Sequence, residues 1–155
     1  RQRQMGIRDR RLGVILFPSV KNDFPAPYRV SAQTLAREPL AKFTPLLSTS
    51  KTIVDEPIAY PVGAPAKLTA SILALAPGDE TGWHTHGVPL AGIVLEGEMT
   101  VDYGDRGKKV FRKGDAVAEA ISIPHNGINT GTEPVRVFVL FMGAEGLPTA
   151  IPLRK

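Results

Sequence analysis

From Lys51 onward the chain is a series of short apolar runs broken every eight to twelve residues by turn-forming residues. Lys67–Ala76, Gly82–His86, Leu90–Leu95, Glu98–Tyr103, Lys109–Arg112, Ala116–Ala120, His125–Asn129 and Val135–Met142 each read as a β-strand. Between them stand Pro77-Gly78, Gly97, Gly104-Asp105-Arg106-Gly107, Lys113-Gly114-Asp115, Pro124 and Thr130-Gly131-Thr132-Glu133-Pro134, all of turn composition. Val135–Met142 is apolar on both faces after Arg136, which predicts a strand buried on both sides. Eight or more short strands without a long helix predict an all-β sandwich or barrel.

Residues 1–50 lack this rhythm and read as an irregular N-terminal arm. Leu12–Phe17 has the make-up of a strand, and Val30–Arg37 that of a short helix, with Ser31 as its cap and Pro39 ending it. The first 11 residues have no hydrophobic period and are set aside as a non-native or disordered start. The chain then divides into an arm (1–50), a barrel (51–142) and a C-terminal tail (143–155). At 155 residues, with 43% hydrophobic residues, it suits one domain with one core.

The net charge of +4 invites a nucleic-acid reading, but its placement removes that reading. Residues 1–11 hold five arginines and one aspartate, which is the whole excess, so the remaining chain is neutral and shows no basic stripe. Cysteine is absent, which excludes disulfides, thiolate ligands and a cysteine nucleophile. No apolar run approaches the ~20 residues that cross a bilayer. Leu12–Phe17 resembles a signal-peptide core but is shorter than the usual ~7–15 residues. The expectation is a soluble protein with no membrane partner. The absence of cysteine suits either redox environment and leaves the compartment open: cytoplasmic, or periplasmic or secreted if a signal peptide was lost.

The chemistry concentrates in the histidines, of which there are three. His84 and His86 lie two apart, and a strand's period of two sends both imidazoles from one face. His125 follows Pro124 about forty residues on. Neutral imidazole is the commonest ligand for catalytic transition metals, so the three predict a metal centre with open positions. Trp83 alternates out of phase with the pair and is expected to pack on the opposite side. Glu119, alone in the apolar run Ala116–Ile121, either faces water on an edge strand or lies inside the barrel near the metal. Inside, it would be a general base, a partner to a histidine N–H, or a substitute ligand. Glu96 and Glu98 flank a turn and are expected in solvent.

Two spaced motifs carry a family resemblance. The first is Gly78-x5-His84-x-His86-x3-Leu90-x6-Gly97, and the second is Gly114-x5-Ala120-x-Ser122-x2-His125-x3-Asn129. Over residues 51–142 this resembles the cupin superfamily, whose motifs are Gly-x5-His-x-His-x3–4-Glu-x6-Gly and Gly-x5-Pro-x-Gly-x2-His-x3-Asn. Leu90 stands at the glutamate ligand, and Ala120 and Ser122 stand at the proline and glycine. The resemblance implies a single jelly-roll β-barrel of the RmlC-like type. It also implies metal ligation by His84, His86 and His125 without a carboxylate, with Leu90 and Asn129 as pocket or outer-shell residues. Nitrogen ligands suit Fe(II), Zn, Ni, Co or Cu better than Mg or Ca. The function implied is a small metal-dependent enzyme acting on a small polar substrate in the barrel. Its chemistry would be dioxygenase-like, or isomerase- or lyase-like with Glu119 as base. The alternative is a non-catalytic module that holds a small molecule or metal. Cupins often pair, so a homodimer is expected; no DNA-binding helix-turn-helix is visible.

Overall fold

The computed structural model describes residues 43–153. The expected strand Leu12–Phe17 and helix Val30–Arg37 lie outside them. The described residues form nine strands: β1 (Ala66–Leu75), β2 (His84–Thr85), β3 (Leu90–Glu96), β4 (Glu98–Asp102), β5 (Lys108–Arg112), β6 (Ala116–Ala118), β7 (Asn126–Ile128), β8 (Val135–Ala144) and β9 (Ile151–Pro152). Among the described residues there is no α-helix, only a 3-10 turn at Gly104–Arg106 inside the expected hairpin between β4 and β5.

All strand pairs are antiparallel. One sheet has the order β1-β8-β3-β6, a second β5-β4-β7, and β2 pairs with β9. The chain passes from the first sheet to the second at Gly97, where φ is +75° and a Cβ would stand 2.6 Å from the Pro134 carbonyl oxygen. Only glycine turns that corner without displacing backbone. Alternation then directs Val94 of β3, Met99 and Val101 of β4, Phe111 of β5, Val117 of β6 and Val135 and Val137 of β8 into one core. Tyr103, just past β4, continues the same inward series and is 2% exposed.

Three expectations change. The strand expected over Ala116–Ala120 stops at Ala118. The amides of Ala120, Ile121 and Ser122 instead donate to side-chain carboxylates, at 2.7 Å each. β8 buries one face rather than two, since Arg136 and Phe138 alternate outward. A sheet packed on one core needs to bury only one side. The segment read as a tail carries β9, which lies in register with the histidine strand: His84 opposes Pro152 and Thr85 opposes Ile151.

Candidate metal centre

The two motifs are zipped together by backbone hydrogen bonds. Residues 78–86 run antiparallel to 121–129. The Gly78 N–H donates to the Asn129 carbonyl (3.0 Å), Thr81 to Gly127 (2.8 Å) and His86 to Ile121 (2.8 Å). His84 and His125 are direct partners that exchange both bonds, each 3.0 Å. This register, with the two-residue period, brings His84, His86 and His125 together from positions forty residues apart. Their ring centroids lie 4.8, 4.5 and 5.1 Å from one another. One ligand atom from each lies within 4.8 Å of the others.

Each imidazole is oriented by a backbone carbonyl. Nδ1 of His84 lies 2.8 Å from the Gly82 oxygen, Nδ1 of His125 lies 2.8 Å from Ile123, and Nδ1 of His86 lies 2.6 Å from Thr149. A carbonyl only accepts, so Nδ1 carries the proton and Nε2 keeps its lone pair. Three imidazoles grouped this closely could hold a divalent transition ion, and carbonyl support of the distal N–H is the usual outer partner of such a ligand. Burial pushes the His86 imidazole down to about 4, outweighing the Thr149 carbonyl and assisted by its histidine neighbours. Burial also lowers His84. The His86 ring therefore stays neutral, as a ligand must be, into mild acid, and burial favours the neutral form of His84 as well.

The centre opens on a cavity of about 340 Å³ between the two main sheets. Its walls include Leu73, Leu90, Met99, Val137, Val139 and Phe141. Leu90 is 6% exposed and sits opposite Phe141 in the β3–β8 register, so the position that matches the glutamate of the cupin motif is here a piece of apolar wall. Glu119 lines the same cavity, which is the interior of the two placements open from sequence. Its Oε1 accepts from the Tyr103 hydroxyl and from the Ala120 N–H, both at 2.7 Å. The second bond depends on this chain's departure from the motif, since a proline at 120 has no N–H to donate. Burial, and then the Glu119 charge, hold the Tyr103 hydroxyl far above its ordinary range, so it donates at any working pH.

Asn129 does not meet the histidines. It is 1% exposed, its Nδ2 donates to the Leu75 and Glu133 carbonyls at 3.0 and 2.9 Å, and its Oδ1 accepts from Gly131 at 3.0 Å. It pins the ends of β1 and the turn before β8. Trp83 points away from the cavity, as its phase predicts, but at 37% exposed it is a surface residue rather than a core one. Glu96 and Glu98 lie at the surface, paired with Arg136 (3.1 Å) and Arg112 (2.7 Å).

Three contributors escaped the sequence reading. Tyr103 had a usable signal, since it continues the inward alternation of Met99 and Val101. Glu56, whose carboxylate binds the Ile121 and Ser122 amides and so fixes the loop before His125, had none at a separation of 65 and 66 residues. Thr149 likewise reaches His86 from 63 residues away.

Residues 71–141 match the family model of the cupin domain. No curated protein matches the sequence. Among solved structures, the polyketide cyclase RemF from Streptomyces resistomycificus is similar, at a TM-score of 0.50 and 22% identity over 65% of this chain and 70% of that one. An oxalate oxidase is matched at a TM-score of 0.48 and 22% identity over 56% of this chain. The Lactobacillus farciminis oxalate decarboxylase is matched at 0.49 and 22% identity, again over 56%. The chain spans 46% of the oxidase and 26% of the decarboxylase, less than half of either. At these identities the likeness is one of fold.

Proposed function

We propose that this barrel, which matches the cupin domain model over residues 71–141, binds one divalent transition-metal ion through His84, His86 and His125 to act on a small molecule held in the cavity, with Glu119 as general base. The observation that carries this reading is the convergence of three carbonyl-oriented imidazoles and one carboxylate on a single cavity. A bound ion would supply Lewis-acid polarisation of a substrate oxygen. Glu119 is restrained at Oε1 by two donors, which leaves Oε2 as the free acceptor for a substrate proton. The apolar walls lower the local dielectric and so strengthen electrostatic interactions at the pole. This arrangement favours proton-transfer chemistry of the isomerase or lyase kind. Iron in the purified protein together with oxygen uptake would favour the dioxygenase-like version instead. The test is turnover in a substrate screen. Chelation should abolish it, and Glu119→Gln should lower it about a hundredfold or more with metal content unchanged. Full activity after chelation would overturn the reading.

The second reading, a non-catalytic module, draws on the Leu90 wall, which removes the carboxylate ligand and leaves few polar groups in the cavity. A ligand retained through purification and never turned over would favour it. The expected homodimer is kept as part of the proposal. Leu68, Ile72 and Phe138, at 68%, 46% and 36% exposed, share the outward face of β1 and β8. Sedimentation equilibrium tests it.

A further inference from the structure

Two features of the cavity together restrict what it can hold. The first is its division into a polar pole and an apolar body. His84, His86, His125 and Glu119 stand at the pole, and the rest of the wall is apolar side chains and glycine apart from the hydroxyls of Ser71 and Thr81, with Leu73, Leu90, Met99, Val137, Val139 and Phe141 among its larger members. Phe141 reaches toward the pole, with its ring centroid 5.7 Å from that of His86. The second is size. At about 340 Å³ the cavity lies at the small end of the roughly 300–1,000 Å³ usual for ligand sites, so it suits a compact molecule.

We infer that the ligand of this site is a small amphipathic chelator: a compact monoanionic oxygen-donor head on an aromatic or branched aliphatic body, which narrows the small polar substrate expected from sequence. This rests on the proposed metal site. Charge selects the head. Three neutral imidazoles leave a divalent ion's charge intact, and the Glu119 carboxylate offsets half of it, so a single negative charge on the ligand brings the buried pole to neutrality. The wall selects the body. A polyhydroxylated or second charged group placed against Leu90, Val137 and Val139 would find few partners there, and each stranded polar group lowers affinity roughly tenfold. Leu90 thus acts twice: it removes a negative charge from the ligand set, and it supplies the surface on which the body rests.

The test uses the zinc-loaded full chain and isothermal titration with two hydroxamates that share a head and differ in body. Benzohydroxamate should bind at least about tenfold more tightly than acetohydroxamate. The preference should shrink severalfold in Leu90→Asn, and also in Val139→Thr, a change close in shape that guards against misfolding of the first variant. His84→Ala should lose both ligands. Equal affinities in zinc-loaded protein, or an unchanged preference in folded Leu90→Asn and Val139→Thr, overturn this inference while leaving the metal site standing. A chain that holds no zinc overturns the metal site and this inference with it.

Discussion

At the pole of the barrel, three imidazoles and a carboxylate are each fixed by directional hydrogen bonds to backbone or to Tyr103. On the wall, Leu90, Met99 and Val137 are buried and fixed by packing. The two regions share one cavity but answer to different physics. Hydrogen bonds set an atom's direction, yet each adds only about 1 kcal/mol net to stability. Burial is non-directional but adds several times that for each large side chain. Metal affinity should therefore depend on the pole and fold stability on the wall, with limited exchange between the two.

The largest effect should come at the pole. His84→Ala, at the partly exposed member of the triad, should weaken zinc binding more than about a hundredfold, beyond the 10–100-fold cost of losing an outer partner, while urea stability of the metal-free protein changes less than in a wall variant. Titration calorimetry beside a denaturation curve checks both halves. On the wall, Met99→Ala should lower stability by about 3 kcal/mol, from lost burial plus a cavity, with zinc affinity within a few-fold of normal. If the wall variant abolished zinc binding at full stability, the division between the regions would be wrong.

Acid should blur the comparison in a defined direction. His86 titrates near 4 when folded, against 6.5 in the unfolded chain, so between those values the unfolded state binds more protons. Stability of the metal-free protein is then full above pH 6.5 and falls with pH. His86 alone should account for about 2 kcal/mol by pH 5. His86→Phe should remove that part of the slope, measured as urea midpoints at pH 7.5 and 5. The smallest effect belongs to Tyr103→Phe. It should lower stability by about 1 kcal/mol and leave zinc stoichiometry unchanged, because the Ala120 amide still holds the same Glu119 oxygen.

The same division explains what could be read in the sequence. Strand periodicity is local, so the eight expected strands appear with ends shifted by a few residues at most, and the His84/His86 pair faces as its spacing requires. His125 joined them through motif spacing, and the structure supplies the reason in the two-way bond between His84 and His125. The interior position of Glu119 could not be decided from its neighbours. It depends on Tyr103 across the core and on an amide that the strand pattern had assigned to a ladder. Glu56 and Thr149 were invisible because polar groups that act over more than 60 residues leave no periodic trace. The outward Phe138 was misread because an all-apolar run does not reveal which face its sheet leaves uncovered.

The most direct test of the central claim is elemental analysis of untagged protein, purified without added metal and then reconstituted, beside His84→Ala handled identically. The account predicts about one equivalent of a transition metal in the wild type and almost none in the variant. No metal in the wild type after reconstitution, or equal metal in both proteins, would contradict it.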